Sequence, residues 1–248
     1  MSSAHNLSLY WSLRRWWGEC CSRDGFWTTA RAFAAALCDF LCESTPARRR
    51  QRYGDVDYDW DYRVDTTSAT VTWRERLLGH FHSPYQPTEP ALFKEMMASL
   101  EISFQEFTFI DVGSGKGRAL LMAADYPFRR ILGVELLPDL HRVAKDNIRR
   151  YKNDSQQCFA VETICGDARE FVFPLEPMVL YLFNPLPEPA LVEFVANLDG
   201  SLRENPRATY LLYHNPLLEG VLMQSSALKK IAGTHQYSTF LNDVRAEA

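Results

Sequence analysis

What is scarce in these 248 residues narrows the reading before any motif is sought. Cys20, Cys21, Cys38, Cys42, Cys158 and Cys165 form no C-x-x-C pair and no small-domain disulfide spacing. That argues against a cystine-stapled secreted fold and for a reducing compartment. No run approaches the ~20 consecutive apolar residues of a membrane span. The apolar stretch near Ala32 lies too late, behind scattered charges, to be a cleaved leader. The chain is therefore expected to act whole, in the cytoplasm. An excess of one charge is lacking too: 27 Lys and Arg against 31 Asp and Glu leave a net −4, which exerts no global pull on nucleic acid or anionic lipid. Cys38 with Cys42, and His80 with His82, are thin metal-ligand patterns, and no metal site is expected. No internal period is found.

Glycine is not abundant, yet three glycines fall at alternate positions in FIDVGSGKGRALLMAA, Phe109 to Ala124. An apolar strand ends in an acid, passes through the glycines and enters a helix-forming stretch. A Walker loop would need glycine where Ile110 stands and Ser or Thr where Gly117 stands. A dinucleotide fingerprint fits Gly113 and Gly115 but meets Arg118 at its third position, which weakens a nicotinamide reading. Asp111-x-Gly113-x-Gly115-x-Gly117 instead resembles motif I of the class I S-adenosylmethionine (SAM) methyltransferases. That resemblance implies that the turn Gly113, Ser114, Gly115 and Gly117 passes close to the methionine end of the cofactor, with Asp111 orienting it.

The segments that follow keep the expected order. RRILGVELLPDLHRVAKDNIRRY predicts a strand over Ile131 to Val134 closed by Glu135, at about the separation where an acid meets ribose hydroxyls in nucleotide folds. A helix at about Leu140 to Tyr151 and a strand over Phe159 to Cys165 lead to Gly166-Asp167-Ala168. These resemble the family's adenine corner, with Asp167 accepting from the exocyclic amine and the Ala168 N–H donating to the ring. The next strand, Met178 to Phe183, is almost wholly apolar, as a central parallel strand should be. It runs into Asn184-Pro185-Leu186-Pro187. Asn184 is placed like the acceptor of the Asn/Asp-Pro-Pro-aromatic motif of amino-methylating enzymes and is the candidate catalytic residue, although Leu186 and Pro187 depart from that motif. His214 and Asn215 are placed to line the same rim, with a buried structural histidine as the alternative.

Three segments are expected: residues 1–52, a helical N-terminal extension; 53–102, an acidic and aromatic stretch with a cofactor-closing helix; and 103–248, the catalytic domain. In the first, Phe26, Trp27, Ala30, Phe33, Ala34, Leu37, Phe40 and Leu41 make an apolar stripe for packing on the domain or a second subunit. WSLRRWW, Trp11 to Trp17, leaves peripheral membrane contact open. The second carries GDVDYDWDYRVDT, where alternation predicts an extended segment with Asp55, Asp57, Asp59 and Asp61 wet and Val56, Tyr58, Trp60 and Tyr62 packed down. Such carboxylates would also attract a cationic substrate. Pro84-Tyr85-Gln86-Pro87-Thr88, before a helix at Pro90 to Leu100, resembles the segment that closes the SAM site in some protein-lysine methyltransferases, which makes Tyr85 and Thr88 candidate contacts. Downstream, a helix at Pro189 to Glu204, a strand at Ala208 to His214, a helix near Leu217 to Ala232 and a terminal strand around Gln236 to Leu241 are expected. Class I folds usually end in an antiparallel hairpin; the tail here is short for one, which leaves the last strand's partner open.

The fold class expected is α/β, a doubly wound, mostly parallel Rossmann-like sheet of the class I methyltransferase type with an N-terminal helical extension. From Tyr53 onward the layout is similar to uncharacterised bacterial class I methyltransferases. The resemblance implies SAM as cofactor and supplies no substrate; the aspartates and the Tyr85 segment lean toward an amine acceptor such as a protein lysine, a small metabolite stands beside it, and nucleic acid is disfavoured by the acidic balance. A non-catalytic SAM-binding protein and a nicotinamide-dependent oxidoreductase are the alternatives.

Overall fold

A computed structural model of the chain describes residues 9–43, 56–67 and 86–242. They fall into two units: Met1–Tyr58 with Thr67–Gln86, and Asp59–Thr66 with Pro87–Ala248. In the first unit, α1 (Leu9–Asp24) and α2 (Phe26–Glu43) meet at Gly25, whose φ of 82° lets the chain turn between them. Trp17 packs edge-on against Phe26 and Phe33. Much of the predicted stripe faces solvent: Phe26, Trp27 and Leu37 are exposed. No described helix is long and apolar enough to cross a membrane.

The second unit is built on a seven-stranded sheet of order β3-β2-β1-β4-β5-β7-β6. The strands are β1 (Thr108–Val112), β2 (Arg130–Glu135), β3 (Val161–Cys165), β4 (Met178–Phe183), β5 (Thr209–His214), β6 (Lys229–Gly233) and β7 (Tyr237–Asn242). From β1 the chain steps outward through β2 to β3, then returns to lay β4 on the other side of β1, all in parallel register. Val112 pairs with both Val134 and Leu182, so β1, β2 and β4 end level. The reversal of strand order leaves a crevice beyond the carboxyl ends of β1 and β4, where open α/β sheets take ligands.

Alternation along the strands divides the core. Ile110, Val112, Leu180, Leu182, Leu211 and Tyr213 point to one face, against Leu191, Phe194, Val195, Leu198 and Leu202. The latter recur at helical spacing on α7 (Glu188–Glu204) and cover the sheet with a single stripe. On the opposite face Phe109 and Tyr181 pack with Phe93 of α4 (Pro90–Ala98), at ring separations of 5.9 and 5.7 Å. There too lie α5 (Arg118–Ala123), packed over Gly133, and Asp111 and Glu135, whose strand positions share the parity of Phe109 and Gly133. Two further helices are α3 (Val56–Tyr62) and α6 (Pro138–Arg150).

Two expectations are corrected. The stretch predicted to be extended with its aspartates wet is the helix α3, and its exposure is partly reversed: Trp60 is 82% exposed, whereas the Asp59 side chain is 12% exposed. Asp59 accepts the Thr66 N–H at 2.7 Å and the Thr66 hydroxyl, so one acid of an apparently alternating series is spent on closing the turn after the helix. The helix predicted over Leu217 to Ala232 shortens to α8 (Glu219–Leu222). Buried Asp199 takes the Ser226 N–H and the hydroxyls of Ser225 and Ser226, while the Ser225 hydroxyl accepts the N–H groups of Ala227 and Leu228. Those bonds stop the helix, and the chain re-enters the sheet as β6, antiparallel to β7 with an irregularity between Lys230 and Ala232. The terminal hairpin is complete.

Burial in this sheet sets a clear contrast in stability. Leu180 on β4 is fully buried and Ile231 on edge strand β6 is 52% exposed. Leu180→Ala is expected to cost about 3 kcal/mol in urea denaturation, and Ile231→Ala within about 0.5 kcal/mol.

Candidate functional site

The turn from β1 into α5 is shaped by three residues without side chains. Gly113, Gly115 and Gly117 hold φ of 75°, 53° and 85°, in the left-handed region that costs other residues energy. Gly113 has a second reason. A Cβ there would stand 2.4 Å from the Cβ of Pro185, so the glycine turn and the segment after β4 touch as closely as backbone allows. Beneath the turn, Gly133 of β2 leaves room for the Ser114 side chain, whose Oγ lies 2.7 Å from where a Cβ would be.

Ser114 is buried, and its hydroxyl has no hydrogen-bond partner among the described residues. Such a group costs stability unless something bonds it. Glu135 closes β2. Its Oε2 accepts the Gly115 N–H and its Oε1 the Leu137 N–H, both at 2.7 Å. The carboxylate therefore ties the glycine turn to the start of α6. Asp111 is buried on β1. Desolvation raises its carboxyl well above the usual range, and the nearby Glu135 charge adds to the shift.

The remaining predicted residues are placed as follows. Asp167 caps the short 3₁₀ turn Ala168–Glu170 by accepting the Arg169 N–H, and it is forked by the Arg169 guanidinium. Ala168 is buried beside it. Asn184 has a φ of 47°, a conformation asparagine tolerates, and its Oδ1 accepts the Tyr213 hydroxyl at 2.7 Å. Its amide oxygen is thus turned onto β5. Thr88 is buried, with its hydroxyl 2.8 Å from the Tyr181 hydroxyl, while Tyr85, His80 and His82 lie outside the described residues.

Residues that were not singled out bind the turn from the outside. Lys116 and Arg118 are each 2% exposed. Lys116 Nζ donates to Asp65 at 2.8 Å, and Arg118 Nε donates to the Thr66 hydroxyl at 2.7 Å. The available signal was two long cations flanking Gly117, where solvated side chains would be ordinary. Below the turn, His214 stacks on Phe183 at 3.7 Å and its Nδ1 lies 2.7 Å from the Tyr181 hydroxyl. Thr88, Tyr181 and His214 so form a buried polar chain. The buried-histidine reading holds.

Strand order, parallel register and the terminal hairpin make this the Rossmann-like α/β fold of the class I SAM-dependent methyltransferases. No protein-family model matches the sequence, and no curated protein matches it. Among solved structures the chain is similar to an RNA methyltransferase from Salinibacter ruber in complex with S-adenosyl-L-homocysteine, at 18% identity over 63% of this chain and 92% of that one, with a TM-score of 0.39. A TehB-like SAM-dependent methyltransferase from Corynebacterium glutamicum matches at 13% identity, over 61% of this chain and 85% of that one, with a TM-score of 0.42. A glycopeptide N-methyltransferase matches at 11% identity, over 63% and 90%, with a TM-score of 0.46.

Two outcomes follow from the site's geometry. Gly113→Ala meets both a left-handed φ and the Pro185 contact, and is expected to cost about 3 kcal/mol in urea denaturation. Gly200→Ala, on α7 with nothing within 4 Å of the added carbon, should instead gain about 0.5–1 kcal/mol. Burial lowers the His214 pKa from 6.5 to about 4. The unfolded chain then binds the proton more readily between those values, so the stability due to neutral His214 is complete above about pH 6.5 and is lost as pH falls through 4. The difference amounts to at most about 3 kcal/mol. Stability measured from pH 7.5 to 5 should fall less steeply in His214→Gln than in wild type.

Proposed function

We propose that this chain is a SAM-dependent methyltransferase acting on an amine, either a protein lysine or a small metabolite. The observation that carries the cofactor reading is the buried, unpartnered Ser114 hydroxyl inside a turn of three left-handed glycines, with Glu135 reaching its centre. The residues fit a nucleoside-bearing ligand: Ser114 supplies a hydroxyl, the glycines give backbone access, and a carboxylate such as Glu135 at the end of β2 is the group type that accepts a ribose diol. Asp167 and Ala168, beyond β3, stand at the purine end, with Arg169 fixing the Asp167 carboxylate. When bound, SAM supplies a methyl group already activated on a sulfonium.

The chain's own task is then alignment. Holding a nucleophile in line with that methyl can supply several kcal/mol of the barrier without a strong base. We assign Asn184, in a left-handed conformation after β4 with its Oδ1 on the Tyr213 hydroxyl, to orienting the acceptor. Asp61 is an exposed acid suited to attract a cationic acceptor. Asp59 is not part of that field, being bonded to Thr66 and Arg118.

Calorimetric titration with SAM and S-adenosylhomocysteine tests the reading. Wild type should bind both, and Glu135→Ala should bind about tenfold or more weakly, ~1.4 kcal/mol. NADH should produce no heat and no thermal shift. Binding of NADH in place of SAM would establish the oxidoreductase alternative, and SAM binding without methyl transfer to any amine-containing substrate pool would establish the non-catalytic one.

A further inference from the structure

The glycine turn is held from two sides. On the sheet side Glu135 accepts the Gly115 N–H. On the outer side the holding groups come from a short segment far upstream in sequence, Asp59–Thr66, which belongs to the same compact unit as the sheet. Asp65 receives the Lys116 ammonium at 2.8 Å, and Thr66 receives the Arg118 guanidinium at 2.7 Å, with Asp59 3.4 Å from the same guanidinium. Asn147 of α6 joins the pieces. Its Oδ1 accepts the Asp65 N–H at 2.8 Å, while its Nδ2 donates to the Asp65 carbonyl at 2.8 Å and to the Lys116 carbonyl, part of the turn itself, at 2.9 Å. Asn147 is 1% exposed.

These contacts are selective. The two cations flank Gly117, the last left-handed residue of the turn, and both are almost completely removed from water. A buried cation is costly unless well paired, so removing its partner disturbs the backbone that carries it. The segment is also shaped to reach: Arg63 adopts a φ of 55°, the Val64 N–H bonds back to the Asp59 carbonyl, and Tyr62 packs on Tyr151 at 5.3 Å. Neither Lys116 nor Arg118 is required by a turn of this glycine spacing. In this chain they convert the turn into one half of a clamp.

We infer that Asp59–Thr66 is a strap that sets the shape of the cofactor turn, with Asp65, Thr66, Lys116, Arg118 and Asn147 as positioning residues for cofactor binding. The inference rests on the methyltransferase reading above and extends it, since a ligand that needs the turn in this shape must in return stabilise the strap.

The test uses the full chain with S-adenosylhomocysteine as probe. Asp65→Asn and Thr66→Val should each weaken binding about tenfold, within the usual span of coupling between sites. Asp154→Asn, at an exposed position outside these contacts, should bind as wild type. In wild type, the ligand should also slow hydrogen exchange at the Asp65 and Thr66 amides, which are bonded to Asn147 and Asp59. Folded variants with wild-type affinity overturn the strap, as does unchanged exchange at those amides in the bound protein. If a variant does not fold, the exchange measurement on wild type decides. No binding by wild type overturns the cofactor reading and the strap together; binding by wild type and equally by both strap variants overturns the strap alone.

Discussion

The closeness of Gly113 to Pro185 is the constraint on which the rest of the unit depends. Two parallel strands that end level, β1 and β4, send their chains out side by side, and one of them must turn without a side chain for the other to pass. That single steric demand fixes where the glycine turn sits and where α5 begins. It also fixes the distance between the turn and Asn184. A carbon atom added at Gly113 would push these segments apart, and with them the two halves of any site built across the switch point.

Electrostatics then decides how the turn is kept in place. Four ionisable side chains, Asp111, Lys116, Arg118 and Glu135, lie buried around it. Burying charge is unfavourable unless each group finds partners, and three of these have identified partners: backbone N–H groups for Glu135, Asp65 for Lys116, and Thr66 with Asp59 for Arg118. Asp111 is the strained member, since burial and the neighbouring Glu135 both favour its protonated form. A buried acid with a raised pKa at a strand end is more common at sites that bind or react than in a core built only for stability.

Below this charged layer the sheet is neutral and stiff. Thr88, Tyr181 and His214 share hydrogen bonds across α4's approach, β4 and β5, and burial keeps His214 uncharged. Tyr181 also packs against Phe93 and Phe109, so the polar chain is embedded in an aromatic layer. A floor of this kind carries no charge of its own into the site, and it keeps the ends of β4 and β5 in register beneath Asn184 and Tyr213.

The parallel sheet, the position of the glycine turn, and Glu135 and Asp167 at successive strand ends were legible in the sequence, because apolar runs and glycine spacing act locally. Periodicity failed where long-range bonds overrode it. Alternation in the Asp55–Asp61 stretch suggested a strand, yet Asp59 is drawn to Thr66 and Arg118 and the segment is helical. Apolar spacing after Leu217 suggested a helix, yet Asp199 ends it and β7 recruits the remainder as β6. Lys116, Arg118 and Asn147 gave no local sign of their roles, since a cation is spent on solvent or on a buried partner according to what the fold brings near it. The sequence by itself determined a mostly parallel sheet and the glycine turn after its first strand; the tertiary structure alone decided the place of the terminal hairpin and which charges close around that turn, because pairing between residues more than fifty positions apart depends on distances that only folding creates.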